Sequence, residues 1–408
     1  MSTLIKINKY PRLYVNYISG LFFLAYGFVM LDANGITFFS DVLMKELGIS
    51  ASQYSNLNAV VWSTKALSSI IIGAIADRTG LRKVLVVPLL YVAGLLSILV
   101  SFANSYVLVL LLRFVWGFCV GATMSMLVSI ISNNLIKNDL GARSGFMSTG
   151  SAVIASTLGP IILTQIVLRY SWRAAFIFTG GIIIFIAIIM HLTVSEVHCE
   201  KNIPQPGKKG LFLKSVSELM HYKSFVLCLI IGVFECAAKL TLTIFGPLYL
   251  TEIMNITTAQ KGTLLSIMGL LYIPVSFIIP ALADKFGGKR VMFVTFVICS
   301  LSPLGMILFE GKVISVWTYV LFGNWAAATV SIFIYLIPGQ DLPKNLIGTA
   351  NGIIMGVSVF FGGCVCPLIL GHIANSVSGL NVITSICLIM FIICLILTAL
   401  LDSQKKRV

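Results

Sequence analysis

Five ionisable side chains stand inside apolar runs of bilayer-spanning length: Asp32, Lys65, Arg113, Glu235 and Lys239. A charge at that depth costs on the order of 3 kcal/mol or more, so each should face a polar interior and find a partner. Glu235 and Lys239 are four positions apart, on one helical face, with the acid on the favourable N-terminal side. They form either a closed ion pair or a proton-responsive switch in which protonating Glu235 frees Lys239 for an anion. Lys65 is too far from either end of its run to snorkel. Its ammonium suits a carboxylate or phosphate, or else it neutralises Asp32. Asp32 itself is expected either to face a central cavity or to accept hydrogen bonds from the second or fourth span. Arg113 is permanently charged and cannot shuttle protons, which points to a structural or gating role. Tyr26, Trp62, Tyr272 and Trp325 are candidates to line a cavity, whereas His191 and His372 read as packing residues.

Other chemistries lack their residues. There is no Ser-His-Asp, HExxH or paired-carboxylate arrangement, and no Gly-Lys-Ser/Thr phosphate loop. Eight of the nine cysteines lie in apolar runs, only Cys199 is in a polar segment, and no CxxC spacing occurs. The expectation is a protein that is not an enzyme, has no metal and no cofactor, and takes a small-molecule substrate.

The elements that position these charges are membrane helices. The 408 residues are 58% hydrophobic and 10% charged, against about 25% charged in soluble domains. Alternating strands of barrel type are absent. Twelve spans are expected, six at about 14–38, 54–75, 84–103, 106–133, 143–168 and 173–194, and six at about 224–250, 260–283, 289–309, 313–338, 346–373 and 378–400. Residues 1–194 then form one six-helix bundle, 195–223 a cytoplasmic linker and 224–408 a second bundle. Of the 28 Lys and Arg residues, 20 fall on the side of the termini and five on the other: Lys45, Arg169, Arg173, Lys261 and Lys312. The remaining three are intramembrane. That asymmetry predicts a multi-pass cell-membrane protein with both termini cytoplasmic. It also accounts for the net charge of +14 without a nucleic-acid partner.

The halves repeat. Gly73-Ala74-Ile75-Ala76-Asp77-Arg78-Thr79-Gly80-Leu81-Arg82-Lys83 recurs in weaker form as Ala281-Leu282-Ala283-Asp284-Lys285-Phe286-Gly287-Gly288-Lys289-Arg290. Asp77 and Asp284 are 207 apart (284 minus 77), as are Gly80 and Gly287, Gly145 and Gly352, and Pro160 and Pro367. By the same offset Asp32 matches Lys239, placing opposite charges at pseudo-equivalent positions. Spans 5 and 11 are rich in glycine and carry Pro160 and Pro367, which mark kinks.

The Gly73–Lys83 segment resembles the signature loop of the major facilitator superfamily, roughly G-x-x-x-D-R-x-G-x-R-K. The resemblance implies an all-α membrane protein, with two pseudo-symmetric six-helix bundles that rock to give alternating access, normally as a monomer. It also implies a gating latch at Asp77, Arg78 and Arg82, and more weakly at Asp284; the gating role of Arg113 comes from its permanent charge and not from the resemblance. Leu31-Asp32-x-Asn34, Lys45-Glu46-Leu47-Gly48-Ile49-Ser50 and Ser171-Trp172-Arg173-Ala174-Ala175-Phe176 are similar to the anion:cation symporters within that superfamily. Ala33 stands where that group has Arg, and Val120-Gly121 where it often has a carboxylate. The antiporter signature of span 5 is half present, with Leu163 and Thr164 in place of two glycines. The resulting expectation is proton-coupled uptake of a small organic anion, with Asp32 and Glu235 taking protons. Lys65, Lys239, Trp62, Tyr26, Tyr272, Trp325 and Asn34 would contact substrate. Proton-coupled drug or metabolite efflux is the alternative. A receptor-like protein that moves nothing is a third reading, opposed by the intact loop signature and the short loops.

Overall fold

The computed structural model describes residues 12–132, 140–196, 216–343 and 346–401. Most of the expected linker, Cys199 and the extreme terminal lysines lie outside them. Among the described residues there is no strand, and twelve helices are long and apolar enough to cross a membrane. They are span 1 (Arg12–Phe38), span 2 (Ala51–Ala76), span 3 (Lys83–Val100), span 4 (Tyr106–Ile131), span 5 (Arg143–Arg169) and span 6 (Trp172–Thr193). Then come span 7 (Lys223–Glu252), span 8 (Thr258–Phe286), span 9 (Gly288–Leu308), span 10 (Val313–Asp341), span 11 (Ile347–Ile373) and span 12 (Ser378–Leu400). A short helix, Ser40–Leu47, lies between spans 1 and 2.

Local chemistry sets the span ends. Spans 4, 6 and 8 begin after Ser105, Ser171 and Thr257, whose side-chain oxygens accept from the amides of Leu108, Ala174 and Gln260. Each satisfies one of the donors that a helix start leaves open. Thr257 and Gln260 complete a reciprocal capping box. Gly80 and Gly287, the repeated glycines after spans 2 and 8, have φ of 71° and 95°. Only glycine enters that region without strain, so the signature loop can turn there.

The kinks expected at Pro160 and Pro367 take a specific form. Three spans contain a π-helical stretch: Ser151–Leu158 in span 5, Ile332–Leu336 in span 10 and Phe361–Val365 in span 11. Each is followed by one residue and then proline: Pro160, Pro338 and Pro367. That intervening residue donates its amide five positions back, Gly159 to Ile154, Ile337 to Ile332 and Cys366 to Phe361. A proline ring collides with the carbonyl four residues before it, and a wider turn relieves the collision. Pro247 and Pro303 sit inside unbroken α-helix, so proline permits the wide turn without dictating it.

By packing, the chain forms two compact units. One comprises Met1–Ile36 and Thr64–Ile203, the other Thr37–Ser63 and Pro204–Val408. The segment Thr37–Ser63, expected in the first bundle, is therefore part of the second unit. Tyr54 Oη donates to the Ile244 carbonyl at 3.0 Å, Ser55 Oγ to that of Pro367, and Asn375 Oδ1 accepts from the Ser52 amide at 3.2 Å. The eight described cysteines are free, and six of them are buried.

Candidate functional site

Asp32 and Arg113 meet inside the first unit, both fully buried. Arg113 Nη1 donates to Asp32 Oδ1 at 2.6 Å and Nη2 to the Asp32 carbonyl at 3.1 Å. Ser97 Oγ and Thr179 Oγ1 donate to Oδ2 at 2.5 and 2.7 Å. The guanidinium also lies over the rings of Phe176 and Trp116, 4.5 and 5.2 Å from their centroids. Spans 1, 3, 4 and 6 are thus tied at one carboxylate. The sequence expectation for Asp32 is a central cavity opposite Lys239 or hydrogen bonds from the second or fourth span; its carboxylate accepts from the fourth, and from spans 3 and 6 in place of span 2. Arg113, assigned to gating, holds that knot.

Lys65 is buried at 8% exposure, and its Nζ lies 3.5 Å from Met30 Sδ. Its backbone is fixed by span 4: a Cβ added at Gly121 would stand 2.3 Å from the Lys65 carbonyl oxygen. The resemblance flagged Val120-Gly121 for a missing carboxylate, and the close approach explains why no side chain stands at Gly121. Tyr26 and Asn34, both half-buried, are in the same unit.

In the second unit Glu235 is 1% exposed, and neither carboxylate oxygen has a hydrogen-bond partner among the described residues. Lys239, one turn on and half-buried, is within its electrostatic reach without hydrogen-bonding to it. Tyr272 of span 8, Cys299 of span 9 and Cys394 of span 12 are also within that reach. The closed ion pair considered from sequence is not what the helix forms. An ionised carboxylate without donors is far more expensive in such a site than the neutral acid. Trp62 packs on Gly363 of span 11. Trp325 lies in a tight turn that interrupts span 10, its indole donating to the Leu321 carbonyl at 2.7 Å.

The signature loop has a partner that sequence reasoning missed. Glu196, just beyond span 6, accepts the amides of Arg82 (2.9 Å), Lys83 (3.3 Å) and Val84 (2.8 Å) at the start of span 3. A carboxylate on open helix donors is favourable twice, by hydrogen bonding and by the helix dipole. Lys83 Nζ donates to the His191 carbonyl at 2.7 Å, near the end of span 6. The second half repeats this grip: Lys289 Nζ donates to the carbonyls of Ala399, at 2.9 Å, and Leu401. Arg78 and Asp284 are exposed, and the side chain of Asp77 lies outside the described set. Glu196→Ala is expected to cost about 1 kcal/mol. It should therefore lower the melting midpoint of the purified protein by a few degrees, and Glu196→Gln, which keeps an acceptor, should lower it less.

Twelve apolar helices around a few buried charges, with a glycine turn repeated at two equivalent loops, describe a membrane carrier. The chain belongs to the Major Facilitator Superfamily, whose family model matches residues 22–367, and it is a multi-pass secondary transporter of that superfamily. A probable nitrate/nitrite antiporter, NarK1 of Thermus thermophilus, is 24% identical over 324 residues, covering 76% of this chain and 69% of that protein. A putative proline/betaine transporter of Staphylococcus haemolyticus is 23% identical, covering 58% of this chain; the chain spans just over half (53%) of its length. Multidrug resistance protein MdtL of Klebsiella pneumoniae is 24% identical, covering 70% and 72%. In fold, the chain is similar to a bacterial homologue of the human lysosomal transporter Spinster, with a TM-score of 0.76 at 13% identity over 96% of both chains. It is similar as well to the nucleoside transporter NupG, with a TM-score of 0.72 at 13% identity over 95% and 97%.

Proposed function

We propose that this transporter takes up a small organic anion together with protons, as a monomer of the cell membrane with both termini in the cytoplasm. The observation that carries the reading is Glu235, a buried carboxyl with no donor to either oxygen among the described residues, one turn from Lys239. A proton on Glu235 removes the negative charge one turn from Lys239 and makes that part of the helix more positive, which suits an anionic substrate. Lys65 is the second cation for it. Tyr26, Asn34, Trp62, Tyr272 and Trp325 are the polar-aromatic contacts. Asp32 is proposed to hold the helices and not to carry the proton, because three hydrogen bonds already occupy its carboxylate. Rocking of the halves, latched at the loop of Asp77, Arg78 and Arg82 and at Asp284, gives alternating access. NarK1 moves an anion by its name, which agrees in sign.

Proteoliposome uptake of sugar acids and other carboxylates under an imposed pH gradient tests this. Uptake that rises with external acidity is expected; movement of only cationic or neutral compounds sinks it. Lys65→Met is expected to reduce anion uptake at least tenfold, the loss of one charge-assisted contact of about 1.5–3 kcal/mol, without lowering the melting midpoint. The similarity to MdtL keeps proton-driven efflux as a second reading. Counter-gradient release of a cationic dye would favour it.

A further inference from the structure

Ser171-Trp172-Arg173-Ala174-Ala175-Phe176 stands at the start of span 6, and the proposed function makes no use of it. Most of its side chains have internal tasks. Ser171 caps the helix. Trp172, buried, meets the Phe176 ring edge-on at 5.9 Å, and Phe176 supports the Arg113 guanidinium. Arg173 is half-buried. Its guanidinium lies over the Trp172 ring, 4.5 Å from the centroid, and its Nη2 donates to Asn104 Oδ1 at 3.1 Å. The Arg173 carbonyl accepts from Ser101 Oγ at 2.8 Å. Stacking and hydrogen bonding together fix this guanidinium where the connection between spans 3 and 4 meets that between spans 5 and 6.

Arg169, the last residue of span 5, lies four positions earlier and is exposed. These two differ from the other three cations that the charge count places opposite the termini. Lys261 belongs to the first turn of span 8, not to a loop; it is 0% exposed and donates to Asp41 Oδ1 at 2.5 Å. Lys45 stands beside Glu46, and Lys312 is two positions from Glu310. All three belong to the second unit. The acids of the first unit are Asp32, Asp77, Asp139, Glu196 and Glu200. None falls in either connection, and Asp32 is taken by Arg113. The same two corners carry exposed apolar and aromatic surface: Tyr170 is 79% exposed, Phe102 68%, Val107 60% and Leu168 51%.

We propose that Arg169 and Arg173, with Asn104 and Tyr170, form a docking site for the phosphate of an anionic phospholipid in the leaflet opposite the termini. Both arginines stand where spans 5 and 6 leave the hydrocarbon, at the depth of the headgroups. Two guanidiniums with no acid beside them complement an anion, and the fork of each matches phosphate oxygens. Phe102, Val107 and Leu168 fit acyl chains, which an anion in solution lacks, and this commits the site to a lipid. Tyr170 has the mixed apolar and polar character of such a boundary. The proposal does not depend on Glu235 or on the nature of the transported substrate.

Thermal unfolding of the full-length protein in detergent tests it, with dioleoylphosphatidylglycerol, dioleoylphosphatidylcholine or inorganic phosphate added. A ligand bound only by the folded state raises the midpoint by mass action. Phosphatidylglycerol is expected to raise it at least about 3 °C more than phosphatidylcholine does. The double variant Arg169→Gln with Arg173→Gln should remove that difference. Asn104→Asp keeps both arginines and an acceptor for Arg173 while supplying the missing acid, so it should at least halve the difference. A parent that does not distinguish the two lipids overturns the proposal, as does a difference that persists undiminished in either variant. Inorganic phosphate that matches phosphatidylglycerol also overturns it, because the site then takes a free anion and not a lipid.

Discussion

Arg113→Met is expected to destabilise the protein more than any other single change considered for the first unit. It leaves Asp32 fully buried without its guanidinium and removes two hydrogen bonds, one on the carboxylate and one on the backbone carbonyl. Removing one partner of a buried pair costs about 3–5 kcal/mol. At roughly 2–4 °C per kcal/mol for a domain of this size, the midpoint should fall on the order of 10 °C. The double variant Asp32→Asn with Arg113→Met removes both charges and should recover part of that loss, because the stranded carboxylate is gone. Thermal unfolding in detergent, followed by tryptophan fluorescence, measures all three proteins. A single variant within about 2 °C of the parent, less than 1 kcal/mol, would show that Asp32 does not depend on Arg113.

The second large effect concerns Glu235. Glu235→Gln fixes the side chain in a form that resembles the protonated acid in shape and charge. Under the proposed coupling it abolishes the stimulation of uptake by a pH gradient, a loss of the whole gradient-driven component. Exchange of substrate across the membrane without a gradient should persist, since the neutral form is the one proposed to favour the anion. Side-by-side measurement of gradient-driven uptake and equilibrium exchange separates the two. Proton-driven uptake that survives the substitution removes Glu235 from the mechanism, and a simultaneous loss of both activities assigns it a structural role instead. The buried amide brings its own cost, since its polar atoms inherit a site without partners. The melting midpoint of the variant therefore needs recording beside its transport.

Much of the architecture can be read from the chain because membrane helices announce themselves locally. Length and apolarity give the twelve spans, and the 207-residue offset gives the repeat. Glycine at positions 80 and 287 gives the turn, and proline at 160 and 367 marks two of the places where a helix is irregular. What failed to show were pairings over long sequence separation. Nothing near Asp32 names Arg113, which is 81 positions away. Ser97 and Thr179 look like ordinary small residues of apolar helices. Glu196 is 114 positions from the Arg82 amide it accepts, and its only local signal is an acid just past a span. Lys261 looked like one more loop cation because a helix start and a loop are alike in sequence. The Thr257–Gln260 capping box was the clue that the helix had already begun. The segment Thr37–Ser63 joined the second unit through contacts to Ile244, Pro367 and Asn375, none of which is visible in its own composition.

The wide turns of spans 5, 10 and 11 carry a mechanical consequence. Each contains one residue more than an α-helix of the same rise would use. If that surplus moves along the rod by a turn, every side chain it passes rotates by about 100°, the angle between successive residues, while no backbone hydrogen bond is lost in the end. Such rods can re-aim their inward groups without bending and without parting from their neighbours, whereas the four helices pinned at Asp32 have no equivalent freedom.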